Sequence, residues 1–359
     1  MSRVGRDSLR VILVVALLLL GFVPSLPPAD QAATPIASAS ASSTAAVSKH
    51  VLVVSVDGLK PKVISRLGRS ALPAYHRLIR QGASTLNARS AVERTLTMPN
   101  HTGMMTGRRV TTVRGHGVTF NYDNGRTVHE MSAAPYVSSL FDVVHDRGGS
   151  TSLYTAKSKF RFFVRTWNRD GRSDTIGPDN GSAKIDSFLL ASDATLVNRV
   201  KARLLSAPDT LTFLHLAGPD AAGHKYGFGS AQYRRAVRAT DRQVGILLRT
   251  IAGSSRLRTT TTVILTSDHG GVGRGHGAAA RRVNFTVPFM VWGAGVAKGR
   301  NLYALNSDDR RRPGSRRLAS YAGRQPIRNA EVANLATDLL GWPRVPGSQL
   351  NANQSLDVS

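Results

Sequence analysis

Residues 261–271 read TTVILTSDHGG, an apolar, β-branched run that stops at an Asp-His pair followed by two glycines. A run of this length and composition, bounded by a turn signal, reads as a buried strand. The arrangement occurs twice more, in VLVVSVDG at 51–58 and LTFLHLAGPD at 211–220. Strands apolar on both faces belong in a sheet covered by helices on both sides, which is where parallel strands are found.

Helix-period segments separate these runs. Ala71–Gln81, Tyr136–Arg147, Ser187–Leu205 and Ser230–Ile251 read as helices, Thr151–Thr155 and Val287–Trp292 as further strands, and Asn329–Leu340 as a closing helix. The alternation predicts an α/β fold, a three-layer sandwich with a largely parallel central sheet, in one domain over residues 49–345. The Arg-rich segment 301–328 reads as a surface excursion, and 346–359 as a C-terminal tail.

Composition narrows the chemistry. The chain of 359 residues has no cysteine, which excludes a disulfide framework, a thiol nucleophile and a thiolate metal site. Any metal must then be held by His, Asp, Glu or hydroxyl groups. Its formal net charge of +26 suits anionic partners of any kind. No zinc finger, helix-turn-helix or basic-aromatic stripe marks a specific nucleic-acid reader. The charge reads as background attraction, for phosphate substrates or for anionic cell-surface polymers. Arg3, Arg6 and Arg10 precede an apolar run from Val11 and then small residues, the layout of a secretory signal peptide over residues 1–33. The run is shorter than the ~20 residues of a stable span, so no permanent membrane span is expected. Residues 34–48 read as a flexible Ala/Ser-rich leader, and the absence of cysteine in an exported chain points to a bacterial, extracytoplasmic protein.

In open parallel sheets ligands bind beyond the carboxyl ends of the strands. Asp57, Asp220, Asp268 and His269 therefore converge on one edge. Taken singly, an Asp after a strand is more often a turn or helix-cap residue; three of them with histidine companions point to metal ligands. His224 lies one helical turn from Asp220, and the glycines of DHGGVGRGHG let His276 reach a neighbouring ion. These oxygen and nitrogen donors suffice for two divalent ions and suit Zn2+ better than Mg2+. Thr97, two residues before Pro99 in RTLTMPNHTGMMTG (94–107), sits at the mouth of a short helix, either as a cap or facing an anion. His215 reads as a satisfied core residue, His101 as packing or support for a ligand, and Lys157 and Lys159 as a solvated loop or a contact to an anionic substrate.

The ordered set VDG, TxPNH followed by TG, PDxxGHKYG and SDHGG resembles the type I phosphodiesterase/nucleotide pyrophosphatase branch of the alkaline phosphatase superfamily, over roughly residues 50 to 345. The resemblance implies an alkaline-phosphatase-like fold and a two-zinc hydrolase of phosphodiester or pyrophosphate bonds with a Thr nucleophile, here Thr97. It further implies one zinc on Asp57, Thr97, Asp268 and His269, the other on Asp220, His224 and His276, and a phosphoryl-oxygen contact from Asn100. His116 is the alternative to His276. Met98 stands where many nucleotide pyrophosphatases carry an aromatic residue, which loosens the expectation of a nucleotide substrate.

Competing readings are a phosphomonoesterase or phosphonate hydrolase of the same superfamily, a sulfatase, and a non-catalytic secreted polyanion binder. The T-x-P-N context lacks the Cys or Ser that a sulfatase converts. No residue of the sequence identifies the extra positive group of a monoesterase, which favours the diester. Against the binder stands the complete ligand set.

Overall fold

Each of the five apolar runs forms a strand in the computed structural model, which describes residues 48–170 and 181–359. The expected signal peptide and all but the last residue of the leader lie outside the described residues. The strands are β1 (His50–Val56), β2 (Ala83–Arg89), β3 (Thr151–Thr155), β4 (Ser187–Leu190), β5 (Leu211–Leu216), β6 (Thr261–Thr266), β7 (Thr286–Gly293) and β8 (Arg300–Asn301). They make one sheet in the order β4-β3-β5-β1-β6-β7-β2-β8. From β4 to β6 every pairing is parallel, and β7 runs antiparallel to both β6 and β2.

The period of two along a strand builds the layers. Val51 and Val53 of β1 enter a core with Met104, Phe141 and Leu335, whereas Leu52, Val54 and Val56 enter another with Tyr75, Val200 and Val244. Helices Thr97–Thr106, Leu140–His145 and Val332–Leu339 cover the first face; Pro73–Gln81, Asp193–Ser206 and Ala231–Gly253 cover the second. Asp241 of the long helix accepts from the Ala74 and Tyr75 amides at 3.2 and 2.8 Å, so one layer supplies the N-terminal cap of a neighbouring helix. Among the described residues no helix is long and apolar enough to cross a membrane.

Several elements differ from the sequence expectation. Ser187–Leu205 is not one helix. Ser187–Leu190 pairs with β3 as β4, and the helix starts only at Asp193, capped by Ser192 accepting from Thr195 N at 3.3 Å. Tyr136–Arg147 shortens to Leu140–His145 behind a Ser139–Asp142 capping box. The 301–328 excursion is anchored at both ends, with Leu302, Tyr303, Ile327 and Arg328 buried. Beyond Pro343 the chain lies along the domain, burying Leu350, Leu356 and Val358.

Candidate functional site

The carboxyl ends of β1, β5 and β6 meet, and with them Asp57, Asp220, Asp268 and His269, all buried. Gly58 N donates to Asp268 Oδ1 at 3.1 Å, tying the β1 loop to the β6 loop. Helix Thr97–Thr106 ends in Gly107 at φ 64°, and Thr97 is its first residue, carrying one of the N–H groups that have no intrahelical acceptor.

The imidazoles are oriented by backbone carbonyls, which can only accept. His269 Nδ1 donates to Gly270 O at 2.9 Å, His276 Nδ1 to Thr95 O at 2.6 Å and His224 Nδ1 to Arg274 O at 2.9 Å. Their Nε2 atoms therefore face inward. Those of His224 and His276 stand 3.1 Å apart and 3.4 and 3.7 Å from Asp220 Oδ1. His269 Nε2 lies 3.1 Å from Asp268 Oδ2 and 3.5 Å from Asp57 Oδ1.

Two groups of ligand atoms result, Asp57/Asp268/His269 and Asp220/His269/His276, each drawn within 4.8 Å. Asp57 Oδ1, Asp220 Oδ1, Asp268 Oδ2, His269 Nε2 and Thr97 Oγ1 are buried without hydrogen-bond partners. Unpaired buried acceptors of this kind are costly unless a cation or proton serves them. Burial alone disfavours a charged His269, yet Asp268 and then Asp57 lift it to about 9, so a proton is drawn to a position that demands positive charge. Burial pushes His276 down to about 4, with the neighbouring His269 adding to it. Three buried carboxylates and convergent imidazole nitrogens are thus a donor set that fits divalent ions of the zinc type.

His116, the alternative to His276, is buried elsewhere. Its Nδ1 accepts from Val118 N at 3.1 Å, and its ring lines a small cavity with Gly103, Arg108 and Tyr321. The Asn100 amide is bonded within the protein. Its Oδ1 accepts from Ala91 N at 2.8 Å and its Nδ2 donates to Arg94 O and Leu96 O at 2.8 and 2.9 Å. Those partners fix the amide's orientation, take up both of its N–H donors and tie Asn100 to the loop before Thr97.

Asn121 meets the first turn of the same helix through Met98. Its Oδ1 accepts from Met98 N at 3.1 Å and Lys159 Nζ at 2.9 Å, while Nδ2 makes no hydrogen bond among the described residues. Nothing in GVTFNYDNG marks it in the sequence. His215, read as a core residue, is buried and satisfied, but one of its partners is Asp57 Oδ2 at 3.0 Å. His101 holds Thr97 O at 2.8 Å and accepts from Ser55 Oγ at 2.8 Å; burial pushes it down to about 3, so it is neutral. Lys157 reaches Asp57 Oδ2 at 2.5 Å and Asp220 Oδ2 at 2.6 Å. Burial opposes its charge, and the two carboxylates hold its ammonium above the usual range nonetheless.

Phe228 fastens the three ligand loops. A Cβ on Gly271 would stand 2.4 Å from its ring, one on Gly223 2.6 Å, and one on Gly58, at φ +68°, 3.0 Å. Gly271→Ala is expected to cost about 1–3 kcal/mol by overpacking and to lower metal content together with melting temperature. Unchanged metal content would show that the Phe228 contact does not set the loop geometry.

The type I phosphodiesterase/nucleotide pyrophosphatase family model matches residues 51–274. Mouse GPI ethanolamine phosphate transferase 1 is 26% identical over 188 residues, 50% of this chain and 20% of that protein. Rat ectonucleotide pyrophosphatase/phosphodiesterase family member 1 is 28% identical over 231 residues, 62% of this chain and 24% of that protein. The chain thus spans about a quarter or less of the length of these relatives. Among solved structures, murine ectonucleotide pyrophosphatase/phosphodiesterase 5 superposes with TM-score 0.58 at 15% identity, covering 86% of this chain and 100% of that one. Its inactive variant in complex with AMP superposes with TM-score 0.57 at 14% identity, covering 83% and 96%. At these identities the likeness is one of fold, the alkaline-phosphatase-like sandwich.

Proposed function

This chain belongs to the type I phosphodiesterase/nucleotide pyrophosphatase family, and from that premise we propose that it is an exported, metal-dependent hydrolase that cleaves phosphodiester or pyrophosphate bonds through a phosphothreonine at Thr97. The observation that carries the reading is Thr97 Oγ1, buried and without a hydrogen-bond partner among the described residues, on a residue whose carbonyl lies 2.8 Å from His101 Nδ1, which is itself 3.7 Å from Asp268 Oδ2.

Asp57, Thr97, Asp268 and His269 would hold one ion and Asp220, His224 and His276 the other, with Zn2+ the best match to the donors. Bound there, divalent ions supply Lewis acidity that lowers the pKa of a hydroxyl or water and neutralises charge on the phosphoryl group. Thr97 Oγ1 attacks phosphorus in line, the bond to the leaving oxygen breaks on the far side, and the threonine proton departs, through solvent, with that oxygen as the released alcohol or phosphate. Water then attacks the phosphothreonine, releases phosphate or a phosphomonoester, and restores the hydroxyl. The Thr97 N–H and Asn121 Nδ2 donate to non-bridging oxygens, where charge must be held through the transition state. His101 fixes the Thr97 carbonyl and His215 fixes Asp57.

A second reading rests on Lys159. Lys157 is paired to Asp57 and Asp220 in this structure, but Lys159, held on Asn121 Oδ1 at 2.9 Å, is a positive group beside them, and an ammonium there favours the more highly charged phosphomonoester. Turnover of an aryl phosphodiester, a nucleoside triphosphate, an aryl phosphomonoester and a sulfate ester by the purified protein separates the readings, and no turnover of any would overturn both. Retained affinity for anionic polymers without turnover would favour the polyanion binder instead.

Lys159 adds a pH signature. Burial, and then the Lys157 ammonium, pushes Lys159 down to about 8. Its charge is present below that pH and is lost as pH rises through it. KM for an anionic ester is expected to rise above about pH 8, and Lys159→Arg, whose guanidinium stays charged, is expected to flatten that limb. A limb unaltered in the arginine variant would remove Lys159 from substrate binding.

A further inference from the structure

Beside the candidate site, the start of helix Pro61–Ala71 and strand β2 border a cleft of about 630 Å3 that the proposed reaction leaves unused. That volume lies within the range of small-ligand sites. Four cations line it, Lys60, Lys62, Arg282 and Arg312, and no Asp or Glu does. None of the four forms an ion pair among the described residues. Lys60 Nζ donates to Phe228 O at 3.1 Å, which leaves its charge uncompensated. The side chains of Lys62, Arg282 and Arg312 are exposed. A second observation is independent of charge: Thr286 Oγ1, in the lining, is buried without a hydrogen-bond partner.

The cleft adjoins the ligand loops through the backbone. Lys60 follows Asp57 on the loop that Gly58 N ties to Asp268 Oδ1. On the other side Val283 packs its carbonyl against Gly270, where an added Cβ would stand 1.8 Å from it. We propose that this cleft is a second anion site, which takes an oligophosphate group carrying three or more negative charges. Arg forks and Lys ammonium groups without competing carboxylates recognise phosphate oxygens by charge-assisted hydrogen bonds. The site stands on its own observations and does not require the Thr97 reaction.

The test is calorimetric titration of inorganic tripolyphosphate into Thr97→Ala protein, with and without Lys62→Glu, Arg282→Glu and Arg312→Glu together. The charge reversal is expected to weaken binding at least tenfold while melting temperature is retained. As a control, Arg234→Glu, Arg235→Glu and Arg242→Glu reverse the same number of charges on the exposed face of helix Ala231–Gly253. An equal loss there means diffuse attraction and overturns the site, as does unchanged affinity in the cleft variant. With Thr97 intact, a rise in KM of the cleft variant for a nucleoside triphosphate with aryl ester KM unchanged identifies the group as substrate-borne. Loss of tripolyphosphate binding with both KM values unchanged identifies a free oligophosphate, and either pattern supports the site.

Discussion

Thr97→Ala is expected to lower kcat/KM for the preferred phosphoester by roughly 10^4-fold or more, the scale on which an enzyme loses its nucleophile. The fold itself should scarcely register the change. Thr97 Oγ1 makes no hydrogen bond among the described residues, so its removal breaks none, and alanine is a good helix former at the first position of Thr97–Thr106. Melting temperature is therefore expected to stay within a few degrees of the wild type, which separates a catalytic loss from a structural one. Thr97→Ser keeps the hydroxyl and should recover a large part of the rate. A phosphorylated peptide containing residue 97, trapped by rapid acid quench of the wild type and absent from the alanine variant, would mark the intermediate directly. Substantial turnover by Thr97→Ala would remove the nucleophile assignment, whatever the family.

How much of this was legible beforehand follows from what each feature depends on. Strands β1, β5 and β6 were readable because they are apolar on both faces, a property of the residues alone. β4 was not, because SFLL sits directly ahead of a helical pattern and becomes a strand only through its pairing with β3. β2 (ASTLNAR) is polar and irregular in register, so its strand character comes from β7. In the site the same division holds. The Asp and His ligand candidates are announced by their position after strands. Lys157, Asn121 and His215 are not, since their roles arise from side chains that meet across 100, 23 and 158 residues of sequence. Asn100 shows the converse: its motif position is plain in the sequence, but its bonds to Ala91, Arg94 and Leu96 are not.

Removal of divalent ions is expected to abolish turnover and to loosen the fold, and charge explains both. Asp57, Asp220 and Asp268 are buried together, with Lys157 the ammonium in direct contact with two of them. Such a set is repulsive until further positive charge enters. An ion that binds the native state alone stabilises it by RT ln(1 + [L]/Kd), about 2.7 kcal/mol at a hundredfold excess over Kd. Chelation should therefore lower the melting temperature by several degrees, and Zn2+ should restore both stability and rate more fully than Mg2+. Single-ligand variants then separate the two groups. Asp268→Asn strikes the ion site proposed to include Thr97, and His276→Ala the one proposed for Asp220 and His224; each is expected to reduce bound metal by about one ion per chain and kcat/KM by at least a thousandfold. Absence of bound metal from the wild type and from both variants would mean that the carboxylates are balanced by Lys157 and protonated His269 alone. In that case Thr97 would need a proton acceptor, and the neutral His101, whose Nδ1 is already committed to the Thr97 carbonyl, does not provide one.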